Sequence, residues 1–385
     1  MSILRFNKRK KGKVSPALAW TVGIIIIAGI GFGAYYGLHK KDTKPSTTQV
    51  LKSNTEKSAT DSSSNTTQDD GNKVTPAVLA KMKAGFNDGA LGNISPIPSW
   101  YNPSEIVPGE NLIKSALSYA VPANEIADMV AGNSNIKQKE VFLTFDDGPS
   151  IQNTQDILNI LKEYGVHATF CLIGDHMQNN PQVQNLVREE IMDGNAIGDH
   201  TYTHVLSQLY PNNKIDVNEF MKQINECEDM EQAILGPNFD TKVVRLPGGY
   251  MSRVHYNDPN LPAFNAALDK GHFTAIDWTA DSGVAATTKQ ISPAQMLYHC
   301  TLGYEEMPQD VILMHDAGAK RDTVEGLPDV IKFFKEHGYK FMVIKNAPAS
   351  SFNDLPLTDV RTDSNQGQSQ AVLDATKKAD TKTTA

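Results

Sequence analysis

The sequence predicts an α/β chain, a distorted (β/α) barrel preceded by a single N-terminal transmembrane helix. Three observations carry that expectation. From Lys139 onward, short apolar runs alternate with amphipathic stretches, the texture of a parallel sheet with helices outside it. Polar residues gather just after the short runs, where the strand ends of a barrel carry its chemistry. An uncharged apolar stretch runs from Pro16 to Leu38.

That apolar stretch follows a basic cluster of Arg5, Lys8, Arg9, Lys10, Lys11 and Lys13. About 20 residues cross a bilayer, so the stretch is long enough to span. The positive-inside rule keeps residues 1–15 cytoplasmic and puts the rest of the chain outside. It is longer than an ordinary signal-peptide core, and no clear small-x-small cleavage site follows. Residues 39–75 are rich in Ser, Thr, Asn, Asp and Lys and read as a disordered tether. Residues 76–138 form an accessory segment, with helical stretches at Ala77–Phe86 and Glu110–Ala120 separated by prolines.

The catalytic unit spans 139–345. Strands are expected at Val141–Phe145, Ala168–Ile173, Ala196–Gly198, Val243–Leu246, Phe273–Ile276, Val311–Met314 and Lys340–Ile344. Helices are expected at Thr154–Tyr164, Gln182–Asp193, Val217–Leu235, Pro293–Leu302 and Thr323–Glu336. Residues 346–385 lose the apolar pattern and read as a disordered tail.

Composition excludes some classes. The 385-residue chain carries a net charge of -8 and no basic stripe, which argues against a nucleic-acid partner. Three widely spaced cysteines, Cys171, Cys227 and Cys300, are no disulfide framework.

Five strand-end segments carry chemistry. Thr144-Phe145-Asp146-Asp147-Gly148-Pro149-Ser150 puts two carboxylates at the end of an apolar run. In a continuing strand they would point to opposite faces; Gly148-Pro149 breaks it, so a turn can bring both to one mouth. A cation nearby would relieve their repulsion. Asp199-His200-Thr201-Tyr202-Thr203-His204 offers two histidines at i and i+4, on one face of a helical turn. No Glu follows the first His, so this is not the metalloprotease pattern. Two His and one carboxylate leave a coordination position open, as catalytic zinc requires.

The third segment, Val243 to Tyr250, ends a strand with Arg245, able to hold a carboxylate in a bidentate fork, and then Gly248-Gly249, whose backbone N–H groups can approach a ligand. The fourth, Ala275 to Ser282, holds Asp277, Trp278 and Asp281, and the fifth, Leu313-Met314-His315-Asp316, ends a strand with a His. His39, His167, His176, His255, His272, His299 and His337 lack such a setting.

In this order the five segments resemble the NodB-homology polysaccharide deacetylases, a carbohydrate esterase family, over about residues 139–345. The resemblance implies a distorted barrel holding one divalent metal, zinc as a rule, with Co2+ or Mn2+ as alternatives. It implies Asp147, His200 and His204 as metal ligands, Asp146 as general base and Arg245 as the residue that orients it. Gly248 would stabilise the oxyanion, Trp278 and Leu313 would wall the acetyl pocket, and His315 would be the general acid. Two departures stand out. Many members carry Arg-Pro-Pro-Tyr-Gly where this chain has Arg245-Leu246-Pro247-Gly248-Gly249, leaving Tyr250 as the replacement aromatic. Val284 stands at the position aligned with an Asp that pairs with the fifth-motif His, leaving Asp281 or Asp277 as substitutes.

The resemblance and the expected topology together imply a membrane-anchored enzyme that removes N-acetyl groups from an extracellular cell-wall polysaccharide. Peptidoglycan N-acetylglucosamine is the favoured substrate. A secondary wall polysaccharide or its linkage unit, an O-acetyl ester, and a catalytically weak wall-binding role are the alternatives. Oligomeric state is not legible in the sequence.

Overall fold

The computed structural model describes residues 92–134, 136–285, 290–305 and 308–352. The expected cytoplasmic tail, the Pro16–Leu38 span, the 39–75 tether and the Ala77–Phe86 helix lie outside those residues. Among the described residues no helix is long and apolar enough to cross a membrane.

Ten strands run in chain order: β1 (Ala120–Pro122), β2 (Glu140–Gly148), β3 (Thr169–Leu172), β4 (Ala196–Asp199), β5 (Val243–Val244), β6 (Thr274–Ala275), β7 (Ala280–Asp281), β8 (Gln309–His315), β9 (Lys340–Phe341) and β10 (Val343–Lys345). Eight of them form one parallel sheet in the order β6-β5-β4-β3-β2-β8-β7, with β9 pairing the start of β2. The sheet curls into a half-barrel, the open form of the expected architecture.

Strand alternation sorts the core into two faces. Val141, Leu143 and Phe145 of β2 pack with Leu158, Leu161, Val187, Ile331 and Phe334 of the surrounding helices. Phe142 instead joins Cys171, Val243, Ile276, Val311 and Ile344, an inner cluster. Thr144 and Asp146 continue the Phe142 row by the same period of two, so the inner face turns from apolar to polar toward the mouth.

The segment before the barrel closes the inner face from below. Val121, Ala123 and Ile126 enter the inner cluster, and the helix Ala123–Val130 lies against β6 and β10. Asn111, fully buried, donates through Nδ2 to the backbone oxygens of Ile197 (2.8 Å) and Ile344 (3.1 Å). Its backbone oxygen accepts from the Ile197 N–H at 3.1 Å. The described part of the accessory segment is thereby built into the core of the catalytic unit.

Several expected elements change on folding. The helix expected over Glu110–Ala120 shrinks to a 3-10 turn at Lys114–Tyr119, because Glu110 bridges Phe239 and Ile113 bridges Ile106. The strand expected over Val243–Leu246 stops at Val244. The closing strand divides, β9 pairing β2 and β10 pairing β1. β1, β7 and the helices Ala123–Val130, Tyr250–His255 and Leu261–Gly271 were not anticipated. Residues 346–352, expected in the tail, pack on the barrel: Asn346 bonds to Gly109 and Asp240 oxygens, and Phe352 stacks on His272 at 4.8 Å.

Candidate metal centre and active site

A β-bulge makes the first half of the site. The β2–β3 register shifts between Asp146 and Gly148, leaving Asp147 as the extra residue with φ +68°. Asp146 keeps its inward place on the strand. Asp147, which a regular strand would turn outward, is swung to the same mouth.

The second half is a loop. The expected helical turn across His200 and His204 does not form: Thr201 (φ +69°) and His204 (φ +55°) are left-handed. Thr201 N–H donates to Asp199 Oδ1 at 2.6 Å, and its Oγ1 accepts from the His204 N–H at 3.2 Å. Gln223 of the helix Val217–Leu235 accepts from both N–H and Oγ1 of Thr203. Gly174 and Asp175 N–H groups donate to the Thr201 and Tyr202 oxygens. Side-chain and backbone bonds thus do what helical periodicity was expected to do.

Asp147, His200 and His204 each offer one ligand atom, all within 4.8 Å of one another. Asp147 Oδ1 is 3.4 Å from His200 Nε2 and 3.5 Å from His204 Nε2. That oxygen is buried without a hydrogen-bond partner among the described residues. His200 Nδ1 lies 2.7 Å from the Arg245 backbone oxygen. A proton on Nδ1 makes that bond, which leaves the Nε2 lone pair facing Asp147. A carboxylate and two imidazoles suit zinc, cobalt or manganese, so the residues fit a divalent cation.

Electrostatics agree with that fit. Burial raises the Asp147 carboxyl, but His204, His200 and His315 outweigh it and hold it well below the usual carboxylate range. Burial pushes His204 down to about 4 against the pull of Asp147, so its ring is neutral and free to ligate. Burial also opposes charge on His200, yet Asp146 and Asp147 raise it overall. A bound cation would displace that proton.

Asp146 sits beside this cluster with a different partner. Arg245, fully buried, donates from one nitrogen, Nη1, to both Asp146 oxygens at 3.3 and 3.2 Å. Its Nη2 donates to Thr144 Oγ1 and its Nε to the Ile276 oxygen. The expected two-nitrogen fork is therefore spread over three residues, and the guanidinium is locked along the inner face. Trp278 covers it, with its ring centroid 5.3 Å from Cζ.

His315 ends β8 opposite Asp146 in the β2–β8 register, with Nε2 4.0 Å from Asp147 Oδ2. Leu313, two residues earlier, shares its face and is buried. Among the described residues His315 Nδ1 is buried without a partner. Asp281 Oδ1 accepts from the Gly283 N–H, and the Asp277 carboxylate accepts from the N–H groups of Tyr250 (2.9 Å) and Met251 (2.6 Å). The substitution left open for these two acids is not visible in their hydrogen bonds.

Gly248 (φ +79°) is exposed at the mouth, with open space where a Cβ would be. Gly249 (φ +82°) is pressed on Trp278: an added Cβ would lie 2.8 Å from its ring. Tyr250 Oη donates to Asn265 of the helix Leu261–Gly271, at 3.0 Å. Its ring packs against the cluster of Phe220 and Phe264, so the tyrosine braces the glycine turn from behind. Thr144, which completes the Arg245 lock, was missed from sequence; its place two residues before Asp146 on one strand face was the available signal.

Known proteins resemble this chain over the barrel. Residues 133–260 match the family model for polysaccharide deacetylases. A peptidoglycan-N-acetylglucosamine deacetylase of Bacillus cereus is 32% identical over 245 residues, 60% of this chain and 78% of that protein. A second B. cereus protein of that name is 30% identical over 215 residues, 54% of this chain and 87% of its own. The solved structure of a Streptococcus mutans CE4 esterase superposes with TM-score 0.56 at 34% identity, covering 63% of this chain and 99% of that one. The matched stretch takes in Asp146, Asp147, His200, His204 and Arg245, residues that bulge and loop have gathered at one mouth, and by that descent the chain belongs to the polysaccharide deacetylase family.

Proposed function

We propose that the protein hydrolyses N-acetyl groups of cell-wall polysaccharide, with N-acetylglucosamine of peptidoglycan as substrate and zinc as metal. One observation carries the reading: three ligand atoms of Asp147, His200 and His204 within 4.8 Å, with a second carboxylate, Asp146, hydrogen-bonded to Arg245 beside them. A pure binding protein has no use for that second carboxylate. The names of the B. cereus relatives support the polymer.

When bound by Asp147, His200 and His204, the cation supplies Lewis acidity at the acetamide carbonyl and lowers the pKa of water. Asp146 accepts a proton from the attacking water, and Arg245 keeps that carboxylate aimed until it does. The water oxygen bonds to the carbonyl carbon. Gly248 N–H donates to the oxyanion that develops there. Trp278 and Leu313 wall the acetyl methyl, and Tyr250 holds the turn that presents Gly248. His315 gives a proton to the amide nitrogen as the C–N bond breaks. Acetate and a free amine on the sugar leave.

The arrangement of the chain fits a wall polymer. In this reading residues 16–38 anchor the protein in the cell membrane with the N-terminus cytoplasmic. Residues 39–75 tether the extracellular catalytic unit, which can then reach the wall. The test is acetate release by the zinc-loaded full-length chain from purified peptidoglycan and, separately, from secondary wall polysaccharide. Release from peptidoglycan is expected. Release from the second polymer alone reassigns the substrate, and release from neither overturns the deacetylase reading.

A further inference from the structure

The residue after His315 has no part in this mechanism, yet it is fully buried against the turn that carries both site carboxylates. Asp316 Oδ2 accepts from Thr154 Oγ1 at 2.5 Å. The same hydroxyl accepts from the Ser150 N–H at 2.8 Å, so its position is set from both sides. Asp316 N–H donates to the Asp146 backbone oxygen at 3.2 Å, and Ser150 Oγ donates to the Asp316 backbone oxygen at 2.6 Å. Asn153 Nδ2 extends the seam to the Ala317 oxygen at 2.7 Å.

The carboxyl itself lies on the bulge. A Cβ added to Gly148 would fall 2.1 to 2.4 Å from Asp316 Oδ2, Oδ1 and Cγ, so only a glycine lets the two surfaces meet. Gly148 is therefore gripped between Asp316 on one side and the residue following β3 on the other, where its oxygen accepts from the Ile173 N–H at 2.9 Å. Asp147, immediately before it, is a left-handed non-glycine residue. Such a conformation persists only where the surroundings over-determine it.

We propose that Asp316 is a positioning residue: with Thr154, it clamps the Gly148 backbone and so holds Asp147 in the geometry that ligates the cation. This rests on the reading of Asp147, His200 and His204 as the metal site. Groups that orient a metal ligand typically contribute 10–100-fold to affinity, which sets the size of the effect. The clamp works by shape and by one acceptor oxygen, both of which an amide retains.

The test measures Zn2+ affinity by calorimetry and the visible spectrum of the Co2+ form, on the full-length chain. Asp316→Ala and Thr154→Val are expected to weaken Zn2+ binding by about 10–100-fold. Their Co2+ bands should shift, while Asp316→Asn stays near the parent. Thr154→Val removes a single hydroxyl and keeps the question open to measurement if Asp316→Ala does not fold. Failure of the parent chain to bind Zn2+ removes the metal site, and the proposal with it. A parent that binds while both Thr154→Val and any folded Asp316→Ala match it in affinity and spectrum overturns the clamp alone. So does an Asp316→Asn chain as weak as Asp316→Ala.

Discussion

Asp146 and Asp147 are neighbours in the chain with different surroundings. Asp147 faces three histidines; Asp146 faces the Arg245 guanidinium and, at 3.8 Å, His200. Replacing Asp146 by Asn keeps its shape and removes its basicity. Asp146→Asn is expected to bind Zn2+ within a few-fold of the parent and to lose about 10²–10⁴ in kcat. Calorimetry paired with acetate release checks it, and retained turnover would take Asp146 out of the base role. Arg245 is buried together with Asp146. Arg245→Met strips a buried carboxylate of its guanidinium, an effect of about 3–5 kcal/mol. Denaturant unfolding should show that loss along with the loss of activity.

At the scale of elements, the site depends on irregular backbone at the ends of regular strands. The β2 bulge, the 200–204 loop and the Gly248-Gly249 turn each place a functional group that the parent strand would misdirect. Gly249 tests this. A side chain there meets Trp278 and also requires φ +82°. Gly249→Ala is expected to destabilise by more than about 1 kcal/mol and to lower kcat with the turn displaced. A thermal melt and a Michaelis–Menten series together check it; unchanged values in both would mean that the turn tolerates a shift of Trp278. The strand and helix periodicities behind these ends were legible: the helices Thr154–Tyr164 and Val217–Leu235 fall where the apolar pattern puts them. The bulge and the His loop were not, because each also depends on contacts with residues far along the chain. Gln223 holds Thr203, and Arg245 orients His200.

Across the whole molecule, the described chain keeps acids inside. Glu190 and Glu231 are fully buried on the helices Pro181–Met192 and Val217–Leu235. Neither Glu190 oxygen has a hydrogen-bond partner among the described residues. Burial, helped by neighbouring acids, raises both carboxyls well above the usual range, so they fold neutral. The sign follows. Above the unfolded-state value the unfolded chain releases these protons while the folded chain keeps them, so stability falls as pH rises toward the folded value. Each such group contributes up to about 1.4 kcal/mol per pH unit. The melting temperature is expected to decline from mildly acidic to alkaline pH, and less steeply in Glu190→Gln. An equal slope in the variant would show that Glu190 is not held neutral.

By itself the sequence determined the class of fold and the chemical inventory of this protein. Apolar period and strand-end polarity are local properties, and Asp146, Asp147, His200, His204, Arg245 and His315 are visible as residue types at such ends. Only the tertiary structure decided how they are shared out. A bulge of one residue separates Asp147 from Asp146, and Arg245 divides its donors among Asp146, Thr144 and Ile276. The segment before the barrel, silent in its chemistry, proved to seal the inner face through Asn111, Val121 and Ile126. The physical reason is the same in each case. A buried polar group is satisfied by whatever the fold brings to it, and that partner sits tens or hundreds of residues away in the chain.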